Sequence, residues 1–258
     1  VTNKDSKKPE LLQKELQKAF AWSTNHTKLV LGMMGGLIVA GGGFALWDYV
    51  KQQNEIKLQS EYFQLEKLYL DKKTKFDQAE AEKKNQAALP KDQKQDEKKA
   101  AATGDLNQDY GDIVTRLETF VDKNPKSVSA KMAALNLSEL YTKYQKPEQS
   151  LNVLNKVKDQ KKDLLSGLVK DQLATTYANK NDCQTAVSLW KDITTSATYE
   201  FLHPSAKVKA ALCYESLKDI QSAKKLLEEV MLNNSDSSAA KNAAKYLQLI
   251  ETANVQTQ

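Results

Sequence analysis

The sequence predicts an all-α protein, a single N-terminal transmembrane helix followed by a solenoid of helical hairpins. Three observations predict this fold class. An uncharged run of 19 residues, LVLGMMGGLIVAGGGFALW, occupies 29–47. Outside it Lys, Gln, Leu, Ala and Glu dominate, glycine is scarce and no alternating β-branched segment occurs, which favours helix. From Tyr110 onward, small and large residues recur on a period of 36 to 37 residues.

Taken in order, residues 1–28 read as a cytoplasmic tail. Residues 1–8 are polar and Lys-rich, with the composition of a disordered segment. Leu11, Leu12, Leu16, Ala19 and Phe20 then recur at helical spacing against Lys14, Glu15, Gln17 and Lys18, which predicts a short amphipathic helix. It would lie on anionic lipid or dock on a partner.

The next segment, 29–50, is the predicted membrane helix. At about 1.5 Å per residue its uncharged run covers roughly 28 Å, close to the hydrocarbon thickness of a bilayer. Trp22 on one side and Trp47 and Tyr49 on the other fall where amphipathic rings prefer the interface. A buried core helix and a cleaved signal peptide are the alternatives. Against the first, the run holds six of the chain's 9 glycines, each costing about 1 kcal/mol in a water-soluble helix. Against the second, the apolar run continues past the small-x-small site at Gly43, Phe44 and Ala45. Gly32, Gly36 and Ala40 share one helix face, as small residues do where a second helix packs closely or where glycine is simply enriched.

Residues 51–71 continue as a membrane-proximal helix, with Ile56, Tyr62, Phe63, Leu65, Leu68, Tyr69 and Leu70 on its apolar side. The stretch 72–108 holds almost no large apolar residues and many opposite charges. It reads as a low-complexity insertion, partly helical at most and loosely attached.

The repeat domain spans 109–252. Tyr141, Tyr177 and Tyr214 mark its period. Nine residues after each comes a small residue, Ser150, Ala186 or Ala223, and four later a large one, Leu154, Trp190 or Leu227. Three residues before each tyrosine stands another small one, Ser138, Ala174 or Ala211. Small residues where two helices cross let the axes approach, and large ones fill the groove beside them. This pattern resembles the tetratricopeptide repeat. It departs from it at Ala134, Lys170 and Lys207, where the family's first-helix tryptophan would stand, and in lacking the terminal proline. An incomplete copy comes first, with Ile113, Leu117 and Phe120 on its second helix, Asn124 and Pro125 as terminator, and 51–71 as its first helix. Residues 238–251 form a capping helix, and 253–258 a disordered tail.

The chemistry of catalysis is missing from the sequence. His26 and His203 stand in no metal-ligand spacing, and no nucleophile-histidine-acid arrangement, phosphate-binding loop or HExxH motif occurs. No enzyme activity, cofactor, metal or small-molecule substrate is expected. The formal charge of +5 is carried by lysines with one arginine, Arg116, which argues against nucleic-acid binding. Cys183 and Cys213 lie on neighbouring helices, where they form either a disulfide or two buried free thiols.

A solenoid of this kind presents its first helices along a concave groove, the usual seat of a peptide or partner helix. Counting from the small positions, the groove candidates are Leu135, Glu139, Thr142, Asp171, Thr175, Val208, Leu212 and Glu215. Their mixed acidic and apolar character suits a basic or amphipathic segment.

One span ending in Gly-rich sequence and Trp47-Asp48-Tyr49, then a helix, then degenerate repeats, resembles the YfgM-like ancillary subunits of the bacterial SecYEG translocon. The best local stretch is LETFVDKNPKSVSAKMAALNLSELY at 117–141. The resemblance implies a single-pass bacterial inner-membrane protein with a cytoplasmic N-terminus and periplasmic repeats. Its partners would be translocon subunits, exported chains or periplasmic chaperones, and its role that of an adaptor or chaperone. A structural scaffold for a cell-envelope machine, such as a divisome, pilus or secretion complex, is the alternative.

Overall fold

The computed structural model describes residues 14–18, 20, 22, 24, 26–87, 101–158 and 163–255, without the side chains at 29–31, 33–35, 37–40, 83–87 and 253–255. All regular structure among the described residues is helical. The helices are α1 (Thr27–Ala87), α2 (Leu106–Lys123), α3 (Val128–Lys143), α4 (Pro147–Val157), α5 (Leu164–Asn179), α6 (Cys183–Thr194), α7 (His203–Ser216), α8 (Ile220–Asn233) and α9 (Ser238–Val255). A 3-10 turn, Ala197–Leu202, precedes α7. The chain divides into two compact units, Val1–Ile56 and Lys57–Gln258.

In the first unit residues 14–18 are helical, with Lys18 paired to Glu15 at 3.2 Å. The Trp22 and His26 rings stack at 4.9 Å, and the Lys51 ammonium sits 5.3 Å from the Trp47 ring centre. Phe20 of the expected amphipathic helix is helical and exposed, while its residues 11–13 and 19 and the tail 1–8 lie outside the described residues.

Among the described residues no helix is long and apolar enough to cross a membrane. This corrects the expectation of a transmembrane helix at 29–50, and with it the single-pass inner-membrane placement and the cytoplasmic and periplasmic sides assigned from it. Length is not what α1 lacks, at 61 residues. Its apolar run is diluted by glycines, which bring no side chain to a lipid phase, and charged residues from Asp48 onward close it. Of the suggested packing face, Gly32 and Gly36 meet nothing within 4 Å of an added Cβ, and the Ala40 side chain lies outside the described residues.

The second unit is a stack of hairpins. Its first hairpin joins the 57–87 part of α1 to α2, where Tyr62 faces Phe120 at 6.2 Å and Tyr69 faces Tyr110 at 6.0 Å between ring centres. The α1 helix does not stop at 71. Phe76 stands edge-on to Tyr110 at 5.4 Å and Ala79 is buried, so the helix stays packed at least to residue 79 and its backbone runs on to Ala87, while 88–100 lies outside the described residues. Ile56, Phe63, Leu68 and Leu70, assigned above to the apolar side, are instead exposed.

Three hairpins follow, α3 with α4, α5 with α6 and α7 with α8, and α9 covers the last. The small residues 138 and 150, 174 and 186, and 211 and 223 are all fully buried. In the first of these hairpins the crossing residues are serines, whose hydroxyls hydrogen-bond at 2.6 Å. Leu154, Trp190 and Leu227 fill the adjoining space. The core accordingly runs as successive buried clusters along the stack.

The turn inside each hairpin is built in the same way. Gln145, Asn181 and Lys218 adopt φ of 55°, 64° and 66°. The next residue in each case donates its N–H to the carbonyl of Tyr141, Tyr177 or Tyr214, at 2.8, 2.9 and 2.9 Å, closing a Schellman motif. A non-glycine residue there carries left-handed strain of roughly 1–2 kcal/mol. Lys218→Gly is therefore expected to stabilise the unit by about 0.5–1 kcal/mol, the remainder being lost to glycine's larger unfolded-state entropy. Asn181→Gly should gain less, since Asn tolerates this conformation. Denaturant melts of the two variants check the order.

Gly167 on α5 explains how the 3-10 turn seats. A Cβ at this position would stand 2.7 Å from Tyr199 Cδ1 and 3.2 Å from Leu202 Cδ1, so the turn closes directly on the helix backbone. Gly167→Ala is expected to cost about 1–3 kcal/mol from overpacking, less the gain in helix propensity of about 1 kcal/mol. Thermal unfolding reads the net loss.

Candidate protein-binding face

The first helices of the hairpins, the 57–87 part of α1 and then α3, α5 and α7, form a row tied by polar bridges. Asn136 Nδ2 donates to the Tyr62 hydroxyl at 2.8 Å, which in turn donates to Glu66 at 2.7 Å. Lys73 pairs with Glu139 at 2.7 Å and Lys143 with Asp77 at 3.4 Å, so α1 and α3 are laced along their length. Between α3 and the start of α5, Lys131 donates to the Ser166 hydroxyl at 2.7 Å and pairs with Asp163 at 3.2 Å. Between α5 and α7, Lys209 pairs with Asp171 at 2.7 Å.

Burial sorts the groove candidates. Val208 is buried in the third core cluster. Asp171 is buried as well, accepting from the Trp190 indole N–H at 2.9 Å besides Lys209, so its carboxylate is committed inside the stack. Leu135 is half-buried against the first cluster. Glu139 is exposed and holds Lys73, and Thr142 is exposed with its hydroxyl turned back to the Ser138 carbonyl. Thr175, Leu212 and Glu215 are half-buried. Thr175 donates to the Asp171 carbonyl at 2.9 Å and lies 3.5 Å from the Lys209 ammonium. The row thus brings Leu135, Glu139, Thr142, Thr175, Leu212 and Glu215 to its surface.

Lys73 and Asp77, which the sequence reading placed in an insertion, belong to the same row, because α1 carries them alongside α3. The signal that finds them is the run Leu58, Tyr62, Leu65, Tyr69, Phe76 and Ala79, one stripe at helical spacing that passes through residue 71.

Several carboxylates are set by the fold. Asp109 loses hydration on burial, which raises its pKa, yet hydrogen bonds from Thr103 N, Tyr144, the Thr103 hydroxyl and Gly104 N outweigh this and hold it below its ordinary value. It thereby ties the 101–105 segment to the start of α2. Asp182 and Asp219 are lowered by hydrogen bonds at Thr185 and Ser222 as they cap α6 and α8. These are architectural roles.

A separate cleft of about 260 Å³ opens between α6, α7 and α8. Val187, Trp190, Tyr214 and Leu226 give it an apolar lining, and Lys191, Lys207, Lys225 and Glu229 a charged one. Lys207 and Glu229 pair at 2.9 Å. Cys183 at the start of α6 is disulfide-bonded to Cys213 on α7, with Cα atoms 5.1 Å apart.

No protein-family model and no curated protein matches the chain. Among solved structures it is similar to a Podosopora anserina protein named for kinesin light chain, with nearly identical TPR-like repeats. That match has 19% identity and a TM-score of 0.47, over 58% of this chain and 81% of that one. MamA is also similar, at 14% identity and a TM-score of 0.42, over 60% of this chain and 96% of that one. The repeat architecture rests on this chain's own crossings and turns.

Proposed function

We propose that this chain is a protein-binding adaptor without catalytic chemistry of its own, and that the row of first helices holds an extended or helical segment of its partner. The observation that supports this reading is the partly exposed strip of Leu135, Glu139, Thr142, Thr175, Leu212 and Glu215 along successive first helices, of which Leu135 also packs on the core. Apolar positions interleaved with acidic ones suit an amphipathic, basic segment. The finer reading, that the partners are exported chains, translocon subunits or chaperones, is supported by the resemblance at 117–141.

The test is in-cell photo-crosslinking from Thr142 and from Leu212, with Glu228, exposed on α8, as the control position. Shared adducts from the two row positions, absent from the control, are expected. A spread of newly exported proteins among them would support the chaperone reading, and one dominant folded partner the scaffold. Adducts equal at all three positions would overturn the row as the binding face.

A further inference from the structure

The cleft between α6, α7 and α8 lies on a different side of α7 from the row just described. Lys207, Ala210 and Tyr214 line it at helical spacing, whereas Lys209, which reaches back to Asp171 on the row, is displaced from Lys207 by about 200° around the helix. A partner on one surface therefore leaves the other open.

Its lining combines an apolar interior, which also packs on the second and third core clusters, with a charged edge. Half-buried Val187, Tyr214 and Leu226 surround a floor made by the buried Trp190 ring and Ala210. Above them Lys191 and Lys225 are exposed and, among the described residues, make no ion pair, while Glu229, the one carboxylate among the described lining residues, is taken by Lys207. The cleft is thus apolar inside with net positive charge at its edge. Its volume of about 260 Å³ falls below the roughly 300–1,000 Å³ of pockets for drug-sized molecules, and fits one or two side chains.

We infer that this cleft docks a short acidic segment of a protein partner, one apolar side chain entering between Val187, Tyr214 and Leu226 and flanking carboxylates meeting Lys191 and Lys225. Nucleic acid fits less well. The chain's one arginine, Arg116, lies on α2, and Glu229 faces any phosphate brought to the cleft. Ammonium groups on flexible stems also suit carboxylates without demanding fork geometry.

The full chain is titrated with a fluorescein-labelled peptide of four aspartates around one leucine, read by polarisation. Saturable binding that weakens with added salt is expected, because exposed charges are screened within about a Debye length of 8–10 Å. Lys191→Glu combined with Lys225→Glu, at two exposed positions, should reduce affinity about tenfold or more while leaving Thr142 crosslinks unchanged. A peptide with alanine for leucine should bind several-fold more weakly. No saturation, equal binding by the double variant, or equal binding of an oligothymidylate of the same charge would each overturn the inference. Absence of Thr142 adducts from the wild-type chain, with its peptide binding intact, would instead count against the row alone.

Discussion

Reducing the Cys183–Cys213 bond is expected to destabilise the unit Lys57–Gln258 by about 3–4 kcal/mol, the loop-closure value for a sequence separation of 30. For a domain of this size that lowers the melting midpoint by roughly 6–15 °C. The bond joins the second helix of one hairpin to the first helix of the next, so it crosses a boundary between repeats. In a solenoid each repeat is held mainly by its neighbours, and a covalent tie at such a boundary makes both sides unfold together. Without it α7, α8 and α9 are expected to open before α3, α4 and α5, which would broaden the transition. Both cysteines are buried, so Cys183→Ala with Cys213→Ala keeps the packing close to native while removing the tie. Melts with and without reductant, scored by thiol alkylation, check the effect. An unchanged midpoint with both thiols alkylated would refute it.

The repeat was legible because its period is enforced by packing that every copy needs. A side chain larger than Ser or Ala at 138, 174 or 211 would push the crossing helices apart, and each of those positions is fully buried. The tyrosines are a subtler case. Tyr141 is buried with its hydroxyl on Glu118 at 2.6 Å, yet Tyr177 and Tyr214 are only half-buried. What the three positions share is a backbone carbonyl that closes the turn, a role for which no side chain is needed.

Three failures have physical causes. Composition over 72–108 is polar enough to suggest an unattached segment, but a helix needs only one apolar stripe to stay packed. Tyr69, Phe76 and Ala79 continue that stripe through the Lys-rich run, with the Lys72 ammonium 5.7 Å from the Tyr110 ring. At the candidate face, counting positions from the small residues assigned Asp171 and Val208 to the groove. Which of them reaches the surface depends on neighbours 19 and 38 residues away from Asp171, Trp190 and Lys209, whose pairing no local pattern announces. The uncharged run at 29–47 misled through its lack of charge, which says nothing of how little side chain its glycines carry.

Asp163→Ala is expected to cost about 3 kcal/mol, the lower end for breaking a buried ion pair, because Asp163 remains 46% exposed while the Lys131 side chain is only 3% exposed. The carboxylate does two jobs. It caps α5 by accepting from Ser166 N at 2.8 Å, and it faces the ammonium that crosses from α3. Burial pushes its pKa up, but hydrogen bonds from Ser166 N–H, the Ser166 hydroxyl and Lys131, with the Lys131 charge, bring it below its ordinary value. A carboxyl lowered on folding contributes stability above its unfolded pKa, near 3.9, and loses it as pH falls through the lower folded value. Asp109, Asp182 and Asp219 are lowered too, so the acid limb of the wild-type curve is shared. The Asp163 part is the difference between wild type and Asp163→Asn, which should shrink below about pH 4. The decisive comparison is with Lys131→Met. Removing the ammonium takes away a buried charge and leaves a half-exposed carboxylate that water and the Ser166 hydroxyl still satisfy, so it should cost much less than Asp163→Ala. In the double variant, the loss should approach that of Lys131→Met plus about 1 kcal/mol for the missing cap. Simple additivity of the two single losses would instead mean that Asp163 acts on the helix end alone.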